Sequence, residues 1–174
     1  MTGIRSLAVV SRRALASLGA ALAVAFIALS PGAALAGDGD RQVSKMRVTI
    51  ATGTDDLRNA SNAVATLKYT NASGNQLVAG GNLNNGAQWP GGSTKTVTIP
   101  MPVGIVLSRL LEFSIQFTSG QPDIFATGDN WNMNSITVTA ILDDGSEANL
   151  VVQADSPWLH RFQSDYHTRW ATPL

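Results

Sequence analysis

Thr127-Gly128-Asp129-Asn130-Trp131-Asn132-Met133-Asn134-Ser135-Ile136-Thr137-Val138 sets a polar turn, a large aromatic and the start of an alternating strand side by side. Asp and Asn favour turns because their side chains hydrogen-bond the nearby backbone, and here Asp129 and Asn130 also offer oxygen ligands. Ile136, Val138 and Ala140 recur at every second position, the spacing of one face of a strand. With Met133 beside it, Trp131 reads as the anchor that ties the turn to a core, in preference to a membrane contact. A rigid strand here positions a polar loop.

The same period of two runs through the chain in both directions. Lys45, Arg47 and Thr49 alternate with Met46, Val48 and Ile50, and over Asn62 to Thr70 the residues Ala63, Ala65, Leu67 and Tyr69 alternate with polar ones. Asn71-Ala72-Ser73-Gly74-Asn75 then supplies a hairpin turn, followed by a short return over Gln76 to Ala79. A Gly/Asn-rich loop from Gly80 to Gly92, carrying Trp89, leads into a strand over Thr94 to Ile99 that Pro100 and Pro102 end. Leu107 to Leu111 reads as a single helical turn or a strand lead-in. Phe113, Ile115 and Phe117 give the cleanest buried face, within Glu112 to Thr118. The strand Asn134 to Leu142 turns at Asp143-Asp144-Gly145 and returns over Ala148 to Val152, and Trp158 to Phe162 is a last candidate. So many short strands with turn signals between them indicate an all-β fold, an antiparallel β-sandwich of about eight strands over residues 43–162.

Residues 1–36 have the composition of a cleavable helical signal peptide. Arg5, Arg12 and Arg13 precede an apolar run over Ala14 to Leu29, and Ala34-Leu35-Ala36 is a small-residue cleavage site. An uncleaved membrane anchor is the alternative, disfavoured by the Ser30-Pro31-Gly32 break. Export follows, to the medium or to the periplasm and cell envelope, with residues 37–42 as a flexible leader and 163–174 as a tail. Three of the twelve Lys and Arg precede Ala36 while all twelve Asp and Glu follow it, so the processed chain carries a net charge of −3. That balance excludes a nucleic-acid footprint and adsorption to anionic lipid by charge alone. The chain contains no Cys and two His, which removes thiol chemistry, disulfides and a zinc site built on Cys or mainly on His. No domain boundary follows Ala36, and the processed protein is expected to be a monomer.

Three patches coincide in order and spacing: Ile50-Ala51-Thr52-Gly53-Thr54-Asp55-Asp56, Asn84-Asn85-Gly86-Ala87-Gln88-Trp89 before Gly92-Ser93-Thr94, and Asp129-Asn130-Trp131. Together they resemble the PLAT family, the sandwich of lipoxygenases, polycystins, animal lipases and the clostridial alpha-toxin phospholipase. The resemblance covers about Val43 to Val152 and looks closest to the bacterial branch. It implies loops gathered at one end of the sandwich that bind calcium and approach lipid, with a metal set of Gly53, Thr54, Asp55, Asp56, Asp129 and Asn130. Ala51, Leu83, Asn84 and Gln88 stand where toxin-like members carry acidic residues, so the implied calcium site is weak, since affinity follows ligand charge.

Other readings of the same residues stay open. Asp55, Asp56 and Asp129 also serve as ordinary turn formers. Trp89, with Asn84 nearby, offers a stacking and hydrogen-bonding surface for a glycan, or else is buried to pin its loop. Asn59-Ala60-Ser61 and Asn71-Ala72-Ser73 match the glycosylation acceptor pattern but read as turns. The tail concentrates Trp158, His160, Arg161, Tyr166, His167 and Trp170, and without a Gly-x-Ser-x-Gly elbow or paired carboxylates it gives no catalytic centre. The sequence therefore predicts a non-catalytic exported binding module for a lipid or membrane surface or an envelope partner. A carbohydrate-binding sandwich and a structural or assembly protein of the envelope, recruiting a partner by its tail, are the alternatives.

Overall fold

A computed structural model describes residues 41–121, 125, 127–164 and 166–174. The predicted signal peptide and most of the leader lie outside the described residues. Among the described residues nine strands follow in order: β1 Val43–Thr52, β2 Asn62–Thr70, β3 Gln76–Asn82, β4 Thr94–Pro100, β5 Leu110–Thr118, β6 Trp131–Leu142, β7 Glu147–Ala154, β8 His160–Phe162 and β9 Arg169–Pro173. A 3-10 turn, Leu107–Arg109, precedes β5. One sheet has the order β4-β1-β6-β7, with β8 paired to the start of β6, and the other has the order β3-β2-β5-β9. Every pairing is antiparallel.

The alternation read from the sequence is what closes the sandwich. In the first sheet Met46, Val48 and Ile50 of β1 lie opposite Ala140, Val138 and Ile136 of β6, all buried. In the second, Ala63, Ala65 and Leu67 of β2 lie opposite Phe117, Ile115 and Phe113 of β5, also buried. Two apolar faces meet, and most of the polar positions between them point to solvent, with Ser114 and Thr139 buried. Removing these side chains from water stabilises the fold by about 1.5–3 kcal/mol for each large one.

Four expectations are corrected. The strand begun at Gln76 runs to Asn82, past Gly80 and Gly81; a Cβ on Gly80 would sit 1.9 Å from the Ala65 carbonyl oxygen, so glycine permits the close pairing with β2. Strand β6 begins at Trp131, not Asn134. The tail contains a strand, β9, that pairs with β5 and buries Trp170 against Phe113 at 6.2 Å. Finally, Arg41 and Gln42 are not free leader: the Leu107 amide donates to the Arg41 carbonyl at 3.0 Å, and Gln42 bridges Val106.

Candidate functional site

β1 ends at Thr52, β6 begins at Trp131, β2 begins at Asn62 and β5 ends at Thr118, so the connections 53–61 and 119–130 share one end of the sandwich. The β3–β4 connection, 83–93, joins them there. The Gly53 amide donates to the Asn132 carbonyl at 2.7 Å, the Gly92 amide donates to the Gly53 carbonyl at 2.7 Å, and Leu57 and Trp89 exchange amide bonds at 3.0 and 2.8 Å. All three sequence patches are thus brought together.

An aromatic cluster lies under these loops. Trp131 is fully buried, stacks on Phe162 at 4.9 Å and meets the edge of Trp89 at 5.9 Å. Its indole nitrogen donates to the Thr52 hydroxyl at 3.4 Å. Trp131 therefore anchors Asp129 two residues before it. Trp89 is 3% exposed and presents no face for stacking on a ligand. Asn84 is equally buried: its amide nitrogen donates to the carbonyls of Ser61 at 2.8 Å and Ala87 at 3.2 Å, and its oxygen accepts from the Ala63 amide at 3.2 Å. Both candidate ligand-binding residues are internal staples, which removes the glycan surface expected of them.

The carboxylates share the end but do not converge. Asp129 is fully buried, and its Oδ2 accepts from the Ser61 hydroxyl at 2.6 Å and the Arg58 amide at 3.0 Å. Its Oδ1 faces Arg58 Nε at 3.3 Å, within ion-pair distance but without the alignment of a hydrogen bond. The Arg58 guanidinium continues to the Thr127 carbonyl through Nη1 at 3.1 Å. The Asp129 amide donates to the Ser119 hydroxyl at 2.6 Å, and the Gly120 amide donates to the Ser61 hydroxyl at 3.0 Å. Burial, the largest influence, raises the Asp129 pKa above the usual carboxylate value; the Ser61 hydroxyl, the Arg58 amide and the Arg58 charge oppose it, and the Asp56 charge adds to it. Asp55 pairs with Arg161 at 3.2 Å, and Asp56 accepts from Gln88 Nε2 at 2.6 Å. The Thr54 hydroxyl accepts from Asn132 Nδ2 at 3.3 Å, and Asn130 is half-buried beside Asp129.

These residues do not fit a calcium ion as they are arranged. Calcium takes six to eight oxygens, led by carboxylates. Here guanidinium groups stand against two of the three carboxylates and a side-chain amide against the third. Among the described residues no three of His, Cys, Asp or Glu gather as a metal cluster. Within the expected metal set of Gly53, Thr54, Asp55, Asp56, Asp129 and Asn130, the carboxylates form three separate polar locks, with Arg58, Arg161 and Gln88. Four participants escaped the sequence reading: Arg58, Ser61, Ser119 and Arg161. Ser61 gave one signal, as the third residue of an acceptor pattern, but its burial shows that the hydroxyl serves Asp129.

The loop end also exposes apolar side chains. Phe125, from the β5–β6 connection, is 90% exposed, and Tyr166, from the β8–β9 connection 163–168, is 61% exposed. The two connections touch, because a Cβ on Gly128 would lie 2.5 Å from Ser164 Oγ. An open depression between them is lined by Ser119, Gln121, Gly128 and Ser164.

No protein-family model and no curated protein matches the chain. Among solved structures it is similar to the alpha-toxin of an avian strain of Clostridium perfringens, at 16% identity and a TM-score of 0.48, covering 70% of this chain and 30% of that one. It is similar to the alpha-toxin of Clostridium absonum, at 16% identity and a TM-score of 0.46, over 71% and 30%. A calcium-dependent 11R-lipoxygenase is similar at 13% identity and a TM-score of 0.36, over 74% and 17%. The chain therefore spans less than a third of each of these proteins.

Proposed function

We propose that the protein is an exported, non-catalytic module that docks on a lipid or membrane surface by its loop-bearing end. The observation that carries this reading is the pair Phe125 and Tyr166, large apolar side chains held out to solvent on two touching loops over a fixed base. Aromatic rings are favoured at the boundary of lipid and water, where an apolar body and a polar tip are both accommodated. The resemblance of the loop motifs to the PLAT family implies contact by the same end. The charge of the processed chain gives no attraction to anionic lipid, so insertion must supply the affinity. At about 2 kcal/mol for each side chain buried, two of them correspond to a hundredfold to thousandfold partition, roughly.

The alternatives have lost their supports. The glycan reading relied on Trp89 and Asn84, both buried, and the tail expected to recruit a partner is partly incorporated in the second sheet as β9. Calcium is left out of the docking step, because the carboxylates already have partners.

The test is co-sedimentation with vesicles of neutral phosphatidylcholine and of phosphatidylcholine mixed with phosphatidylserine. The natural protein should pellet with both, and Phe125→Asp/Tyr166→Asp should stay in the supernatant with a melting temperature lowered by no more than about 2 °C, since both side chains are mostly exposed. Failure of the natural protein to bind either vesicle, or retained binding in the double variant, defeats the proposal.

A further inference from the structure

We propose that Arg58 is a built-in cation: its guanidinium supplies to Asp129 the positive charge that a bound metal would otherwise have to bring, so the loop end is set without calcium. This inference does not depend on which surface the loop end binds.

Asp129 is fully buried, and a buried carboxylate is strongly unfavourable unless a charge and hydrogen bonds compensate it. Ser61 and the Arg58 amide satisfy Oδ2, at 2.6 and 3.0 Å, but neither carries a charge. The positive charge comes from Arg58, whose Nε lies 3.3 Å from Oδ1, an oxygen with no hydrogen-bond donor of its own. The same guanidinium bonds the Thr127 carbonyl at 3.1 Å, so one side chain holds both the carboxylate and the backbone two residues before it. A planar fork with several donors can do this, whereas a point ammonium cannot do both.

What Arg58 faces is the donor chemistry of a hard cation. Taking the guanidinium away leaves a buried carboxylate with a bare oxygen, the Thr127 carbonyl, the Ser61 hydroxyl and the negative charge of Asp56 acting on Asp129. Oxygen donors with net negative charge are what calcium selects. A truncated Arg58 should therefore turn a metal-independent loop end into a calcium-responsive one.

The experiment compares melting temperatures of the purified protein in EDTA and in excess calcium chloride, with magnesium chloride as a control. The natural protein should melt at the same temperature in all three. Arg58→Ala should fall by about 5 °C or more in EDTA, as expected for a buried charge left alone, and should recover at least half of the loss in calcium but not in magnesium. Arg58→Ala/Asp129→Asn should show no response to calcium. The proposal is overturned if calcium stabilises the natural protein, if Arg58→Ala melts as the natural protein does, if calcium gives Arg58→Ala nothing, or if the response survives Asp129→Asn. Should Arg58→Ala not fold, Arg58→Gln takes its place in the same buffers. Calorimetric titration of the natural protein with calcium is then decisive as well, since saturable binding would overturn the idea.

Discussion

The two ends of the sandwich are built by different means. At the end away from the candidate site, the chain turns on local bonds: Asn71 Oδ1 accepts from the amides of Ser73 at 3.0 Å and Asn75 at 2.9 Å, and the Gly145 amide donates to the Leu142 carbonyl at 3.0 Å. The Asn71 turn carries its own instructions within about five residues, whereas the Asp143-Asp144-Gly145 turn is also tied to the start of β1, through the Arg41–Asp144 ion pair and the Asp143 amide donating to the Gln42 carbonyl at 3.0 Å. At the loop end the fixing contacts are distant in sequence: Arg58 to Asp129, Ser61 to Asp129, Asn84 to Ser61 and Thr52 to Trp131. A turn closed by its own backbone has little left to offer a partner. Loops held by their bases can project side chains such as Phe125 and Tyr166 while staying in place.

The loop end depends most heavily on Trp131. Replacing it by Ala removes the ring that Trp89, Phe117 and Phe162 all meet, within 4.9 to 6.5 Å. A loss of about 3–5 kcal/mol is expected for deleting a buried ring of this size, measured by urea denaturation. If the loop end depends on this base, protease cleavage should appear first within 53–61 and 119–130, with the turns at Asn71 and Gly145 still protected. Cleavage spread evenly over both ends would show that they do not differ in this way.

The same contrast decides what the sequence could reveal. Strands β1, β2, β4 and β5 were legible because one buried face imposes a period of two, and the Asp143-Asp144-Gly145 turn because its signal is local. The coincidence of the three loop patches was legible too, through their resemblance to a known order. The partners were not. Nothing in the spacing of Arg58 and Asp129, 71 residues apart, marks an ion pair, and the turn chemistry of Asp129 suggests a free ligand equally well. Trp89 illustrates the limit: its burial depends on the pairing with Leu57, 32 positions earlier, which no local pattern encodes. β9 stayed hidden for the same reason, since a five-residue strand ending in Pro173 is defined by β5 and not by its own alternation.

Two glycines, one at each end of the sandwich, respond differently to the same substitution. At Gly145 φ is +84° and a new Cβ would meet nothing within 4 Å, so Gly145→Ala should cost only the left-handed strain, about 1–2 kcal/mol. At Gly120 a Cβ would fall 1.9 Å from the Ala60 carbonyl oxygen, where backbone must move. Gly120→Ala should therefore destabilise more than Gly145→Ala, and unlike it should weaken vesicle binding, because the loop bearing Phe125 is displaced. Equal vesicle binding by the two variants would mean that the loop base does not position the apolar tip.

The smallest effect expected at the loop end is a response to pH, through His160 in β8. Its ring lies 4.5 Å from Phe162, edge to face, and Nε2 is 3.4 Å from the His167 carbonyl. Burial is the chief cause that lowers its pKa from the usual histidine value, and the His167 charge lowers it further, against the carbonyl. The unfolded chain then takes up a proton more readily than the folded one. The stability contributed by neutral His160 is thus fully present above the unfolded pKa, near 6.5, and is lost as pH falls through the lower folded value. Asp129 has the opposite sign: its raised pKa makes stability decline as pH rises from about 4 through the folded value. Comparing the natural protein with His160→Gln between pH 7 and pH 5 isolates the first of these, because the drop should be shallower in the variant. Parallel profiles would show that the protonation of His160 is not coupled to folding.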